Sequence, residues 1–174
     1  MSFDPQEFGK VAFATLIPGA GAAVAYAVFV NDKNALEWWN KLKKPKWAPT
    51  DLKIYTAIDV ATCLPLGCAS YLIYKHGGIE YSDTKLALAT YGTNLALAAL
   101  SIPVMVKCKN IKLMTATTAG LTITAGLSAH LFYKIHRNAG IMLVPYALWS
   151  GFYLVLMAFI CKEEGGVNSG EKKI

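Results

Sequence analysis

Asp59 is an acidic side chain set in an apolar run, with Ile58, Val60 and Ala61 around it. In hydrocarbon a carboxylate costs about 2.5–3.5 kcal/mol at the bilayer centre and less near the interface, so it is retained for a partner or a cavity. The alternative is a local role, reaching the headgroups or pairing with Lys53 or a loop lysine. Trp149 lies in a second apolar run, where an indole N–H needs a hydrogen-bond partner or a ligand. Tyr146 and Phe152 flank it three residues away on either side, so the three share one helical face. That face either lines a pocket or packs against a neighbouring helix. Asn94, in a third run, suits an interhelical hydrogen bond worth roughly 0.6 kcal/mol, which favours structure over chemistry. No set of nucleophile, base and orienting group converges in the sequence, so no catalytic residue is assigned. Cys63, Cys68, Cys108 and Cys161 lack metal-ligand or redox spacing, and neither a metal nor another cofactor is expected.

The elements that must position these residues follow from composition. Of the 174 residues 55% are hydrophobic and 16% charged, against about 25% charged in ordinary soluble domains. The charges cluster, and between the clusters run stretches of about 20 almost uncharged residues, the length a helix needs to cross a hydrocarbon core of about 30 Å. Spans are expected at residues 9–30, 55–74, 86–106, 113–133 and 140–160. The expected fold is therefore an all-α membrane protein, a five-transmembrane-helix bundle over residues 9–161, with a short N-terminal segment 1–8 and a polar cytosolic tail 162–174. Asp4 and Glu7 stand where a cleavable signal would be basic, so the first span is expected to be retained.

Five crossings place Lys33, Lys41, Lys43, Lys44, Lys46, Lys53, Lys107, Lys109, Lys112, Lys162, Lys172 and Lys173 on one side. These are twelve of the 17 basic residues, and they put the C-terminus in the cytosol. The net charge of +6 is thereby explained by the anionic leaflet, and no nucleic-acid partner is expected. The small residues of 18–23 and Ala119, Gly120, Ala125, Gly126 and Ala129 allow close helix approach, although such residues are common in membrane helices anyway.

The loop Trp38-Trp39-Asn40-Lys41-Leu42-Lys43-Lys44-Pro45-Lys46-Trp47-Ala48-Pro49 carries the most specific pattern in the chain. It resembles the W-x4-LxKPxWxPP-like signature of the translocator protein (tryptophan-rich sensory protein, TspO/MBR) family, matching at Trp38, Lys44, Pro45, Trp47 and Pro49, with Leu42 one residue early. Gly67-Cys68-Ala69-Ser70-Tyr71 is similar to the family's GxxSY, and Pro145, Tyr146, Trp149 and Phe152 to its PYxxWxxF. Pro18 with Gly21, Tyr91 with Leu95, and Pro103 add weaker matches. The departures lie inside the membrane: Ile58-Asp59 replaces a tryptophan, and Asn94, Ala98, Ala99, Ser101, Leu113 and Met157 replace other family residues. Phe159 stands in the tyrosine slot of the family's sterol-recognition pattern.

The resemblance implies a membrane protein of the mitochondrial outer membrane in a eukaryote, or of a bacterial outer membrane. It also implies a pocket for porphyrins, cholesterol-like sterols and benzodiazepine-type drugs. The expected ligand-binding set is Trp149, Tyr146, Phe152, Pro45, Trp47, Lys44, Asn94, Asp59, Ala116 and Leu156, with the 44–49 loop capping the pocket. Two other readings compete. One is a porphyrin-degrading enzyme, an activity tied in relatives to a tryptophan pair of which this chain keeps Trp149. The other is a scaffold acting through protein partners, with homodimerisation through the small-residue faces.

Overall fold

The computed structural model describes residues 5–78 and 80–170, and these form an all-helical bundle. Its helices are α1 (Pro5–Asn31), α2 (Lys33–Lys41), α3 (Leu52–Gly77), α4 (Ser82–Pro103), α5 (Ile111–Ile135) and α6 (Arg137–Gly170). Helix α4 ends in a π-helical turn, Val104–Cys108, closed by Lys109 in the left-handed region at φ 47°. Where the polar tail is expected, α6 continues without a break to Gly170.

The helix starts are set by short polar side chains that accept first-turn N–H groups. Asp32 Oδ1 takes Ala35 N at 2.9 Å, Asp51 Oδ1 takes Lys53 N at 2.9 Å, and Asn110 Oδ1 takes Lys112 N and Leu113 N at 3.0 and 3.2 Å. Helices α3 and α5 therefore begin at Leu52 and Ile111, a few residues before the spans expected at 55 and 113. Helix α2 lies between the first two expected spans and overlaps the start of the loop pattern at residues 38–41. Its Asp32 cap and its buried Ala35 and Trp39, four residues apart, make it a short amphipathic helix.

Among the described residues, four stretches are long and apolar enough to cross a membrane: Gly9–Asn31, Leu52–Gly77, Ser82–Cys108 and Arg137–Glu164. Helix α5 has comparable length but falls short in apolarity, because Thr115, Thr117, Thr118, Thr122, Thr124, Ser128 and His130 dilute it. The expectation of five apolar spans thus holds for four.

The long helices close into a ring: α1 packs on α3, α3 on α6, α6 on α5, α5 on α4, and α4 returns to α1 at the sparsest seam. Two apolar cores fill the ends of this ring. The first joins Phe29, Trp39, Leu42, Ala48, Tyr55, Met114, Leu156 and Ile160; the second joins Leu66, Leu72, Ile73, Tyr91, Phe132 and Leu143. Phe13, Leu16, Val24, Leu86, Leu100, Ile123, Leu148 and Val155 point outward and are exposed. That distribution is inverted for water and ordinary for lipid.

Close approach is concentrated where α1 crosses α3. A Cβ on Gly67 would collide with the backbone of Ala14 and Thr15, and one on Gly19 would meet Leu64 Cδ2 at 2.9 Å. Gly21 and Gly126, also in the small-residue runs, have nothing within 4 Å of that position. At the corner between α5 and α6 a Cβ on Gly140 would collide with the Tyr133 backbone, which lets one residue, His136, connect two antiparallel helices.

Candidate functional site

Between the two apolar cores the ring encloses a cavity of about 430 Å³, within the range of about 300–1,000 Å³ typical of small-molecule sites. Every long helix contributes to it: Pro18 and Ala22 from α1, Asp59 and Cys63 from α3, Leu95 and Ala98 from α4, Thr118 and Leu121 from α5, and Tyr146, Trp149 and Tyr153 from α6. The lining is mostly apolar, and Asp59 is its single charged residue among those described. Ile17 and Gly21 line the cavity and are also exposed on the outside of the bundle, so it opens beside the middle of α1.

The carboxylate of Asp59 is held by two neutral donors from α6. Trp149 Nε1 donates to Oδ1 at 2.6 Å, and the Tyr153 hydroxyl donates to Oδ2 at 3.0 Å. Two donors from one helix meeting the two oxygens of one carboxyl group fix the rotation of α6 against α3. Lys53 is no partner: six residues turn a helix by about 240° from its starting face, and Lys53 is exposed at the helix start. Around the carboxylate, Tyr55 lies 6.2 Å from Trp149 and 5.9 Å from Tyr153, centroid to centroid, and Trp149 meets Tyr153 edge-on at 5.2 Å.

A second polar cluster stands behind the wall. The Tyr146 hydroxyl donates to Asn94 Oδ1 at 2.8 Å, while Asn94 Nδ2 donates to Leu121 O at 2.9 Å and Thr124 Oγ1 at 2.8 Å. Asn94 is 1% exposed, so it ties α4, α5 and α6 together without lining the cavity. This is the interhelical role its position in an apolar span predicts.

The loop after α2 shuts one end of the bundle. Lys44 lays its ammonium over the Trp39 ring, 4.9 Å from the centroid, and donates to Trp39 O at 2.6 Å. Burial lowers its pKa from the ordinary lysine value. Tyr55 OH donates to Pro49 O at 3.0 Å, and Trp47 packs edge-on to Phe152 at 5.6 Å.

Of the expected set, the structure brings Asp59, Tyr146 and Trp149 to the cavity wall. Phe152 stacks on Trp149 at 4.7 Å and stands outside the lining. Leu156 is fully buried in the adjoining core. Lys44, Pro45 and Trp47 belong to the closing loop; none of them lines the cavity, and Trp47 is 51% exposed. Ala116 is corrected outright: it is exposed on α5, because the inward face of that helix runs through Met114, Thr118 and Leu121. Sequence reasoning missed Tyr153, Tyr55 and Trp39, all of which line the cavity. Tyr153 carried a usable signal, lying four residues beyond Trp149 on its face. Trp39 was overshadowed by Trp38, the neighbour that fits the loop pattern.

Comparison with known proteins gives a consistent picture. Residues 13–162 match the family model described as TspO/MBR family. The chain is 25% identical over 161 residues to the translocator protein of Ovis aries, covering 91% of this chain and 92% of that one. It is 30% identical over 118 residues to the uncharacterized membrane protein YtaB of Bacillus subtilis (strain 168), covering 67% and 73%. To the tryptophan-rich sensory protein of Cereibacter sphaeroides it is 23% identical over 142 residues, covering 79% and 82%.

Proposed function

Since the chain belongs to the TspO/MBR family, we propose that this multi-pass membrane protein binds apolar, ring-shaped ligands of the porphyrin or sterol class in the cavity between its helices. The observation that carries this reading is the 430 Å³ enclosure, walled mostly by apolar and aromatic side chains and provided with few polar anchors. Pockets of that kind bind through enclosure and use their polar groups for orientation. The test is a titration of detergent-solubilised protein with protoporphyrin IX dimethyl ester and, separately, cholesterol. Saturable quenching or competition supports the reading, and linear, non-saturable partition of both would end it.

The same proposal includes α5 as the fifth crossing. Its 25 residues rise about 37 Å at 1.5 Å per residue, longer than the roughly 30 Å hydrocarbon core. Its threonines also hide their hydroxyls. Thr115, Thr117, Thr118, Thr122 and Thr124 each bond a carbonyl four residues back at 2.8–2.9 Å, and Thr122 also reaches Ser150 O on α6 at 3.0 Å. With five crossings the lysine-rich connections face the cytosol. In a eukaryotic cell the proposed home is the mitochondrial outer membrane. A tag after Ile174 will then be digested by protease added to intact organelles, and a tag before Met1 will be protected. The opposite pattern overturns the orientation, and equal protection of both tags overturns the odd number of crossings.

A further inference from the structure

The cavity has a charge and no counter-charge. Asp59 is its single charged lining residue among those described, and both partners of the carboxylate, Trp149 Nε1–H and Tyr153 O–H, are neutral. Among the described residues no lysine, arginine or histidine stands in the wall. A buried carboxylate held by neutral donors alone retains most of the cost of leaving water, and an opposite charge beside it relieves that cost. Tyr55, Trp149 and Tyr153 bring three aromatic rings together at this point of the wall, so a guest seated at Asp59 is shielded from water by apolar ring surface. A guest carboxylate would find an anion and no cation.

We infer that the cavity selects, among ring-bearing apolar ligands, those that carry a protonated amine, with the ring system against the apolar wall of α1 and α4 and the ammonium at Asp59 within the rings of Tyr55, Trp149 and Tyr153. The inference rests on the cavity being the ligand site, as proposed above, and goes beyond that reading by requiring a basic nitrogen beside the ring system.

Two probes of one shape separate the charge from the ring: N,N-dimethyl-1-pyrenemethylamine and its uncharged carbon isostere 1-isobutylpyrene. Both are titrated into the full-length protein in one detergent, with energy transfer from tryptophan to pyrene as the readout. The ratio of amine to isostere affinity will be at least 10-fold higher in the wild-type protein than in Asp59→Asn, and Asp59→Glu will keep it above that of Asp59→Asn. Because the micelles are the same throughout, partition of the probes cancels when the ratios are compared between proteins. A third probe, 1-pyrenebutyrate, will bind Asp59→Asn more tightly than it binds the wild type. Saturable binding of both pyrenes with the same affinity ratio in the wild type and in Asp59→Asn overturns the amine preference and leaves the cavity reading standing. Failure of both pyrenes to bind saturably, in wild-type protein that elutes as a folded species, overturns the cavity reading and this inference with it. If Asp59→Asn does not fold, Tyr153→Phe, which frees Oδ2 of one donor but keeps the charge, must still prefer the amine; loss of preference there counts against the assignment.

Discussion

Gly67→Val will yield no folded protein, and Gly67→Ala will lower the apparent melting point in detergent by more than 5 °C. An added Cβ at this position runs into the carbonyl and Cα atoms of Ala14 and Thr15, and backbone atoms of a helix have no rotamer into which to retreat. Alanine is the better helix former by about 1 kcal/mol, so propensity alone predicts stabilisation. Overpacking of a tight contact costs about 1–3 kcal/mol and wins. The damage extends beyond stability, because α1 supplies one wall of the cavity through Pro18, Gly21, Ala22 and Ala25. Gly126→Ala is the control, since a Cβ there meets nothing within 4 Å. Thermal aggregation of the two alanine variants, measured side by side, decides the matter. Equal melting points would show that α1 and α3 do not cross at Gly67.

Trp149→Phe will weaken binding of protoporphyrin IX dimethyl ester by about 10-fold and remove part of the ligand-induced quenching of tryptophan fluorescence. The phenyl ring keeps an aromatic surface in the wall but has no N–H, so Asp59 loses the 2.6 Å bond and keeps only Tyr153. Hydrogen bonds to a charged group contribute about 1.5–3 kcal/mol, and part of that loss appears as freedom of α6 to rotate away from its binding position. Quenching will not vanish. Trp39 also lines the cavity, whereas Trp38 and Trp47 do not. Trp38→Phe therefore keeps the ligand-induced change that Trp149→Phe loses. An identical change in amplitude in Trp149→Phe and wild type would put the ligand elsewhere, with the loop around Trp47 the first place to look.

The parts of this molecule that were legible in the sequence are those governed by local chemistry. Apolar runs mark α1, α3, α4 and α6 because a bilayer imposes length and apolarity together. The loop pattern was also legible, since lysine, proline and tryptophan there satisfy one another within a few residues, as Lys44 does with Trp39. Contacts that depend on the rotation of one helix against another were not. Asp59 and Trp149 are 90 positions apart, and nothing local to Asp59 distinguishes a partner on α6 from the headgroup region or Lys53. The same limit explains Ala116 and Tyr153: both lie in helices identified from sequence, but which arc of each helix faces the cavity is decided by close approaches such as those at Gly67 and Gly140. Helix α2 is a different kind of miss. Its nine residues are too few to show a period, and it forms because Trp39 and Ala35 find a core to enter.

The opening beside α1 has a bearing on what concentration means for this protein. With one apolar core above the cavity and another below it, Ile17 and Gly21 stand at the mouth halfway along a helix that faces acyl chains. A solute using that mouth leaves the leaflet, not the aqueous phase, so occupancy follows its mole fraction among the lipids. A tenfold increase in membrane at fixed total solute empties the cavity as surely as tenfold dilution empties a site that faces water. Isotherms collected in vesicles at two lipid-to-protein ratios will superimpose when plotted against moles of solute per mole of lipid and separate when plotted against molarity. Superposition on the molar axis would place the route in water, through the Trp39–Trp47 end, and would turn the loop from a plug into a gate.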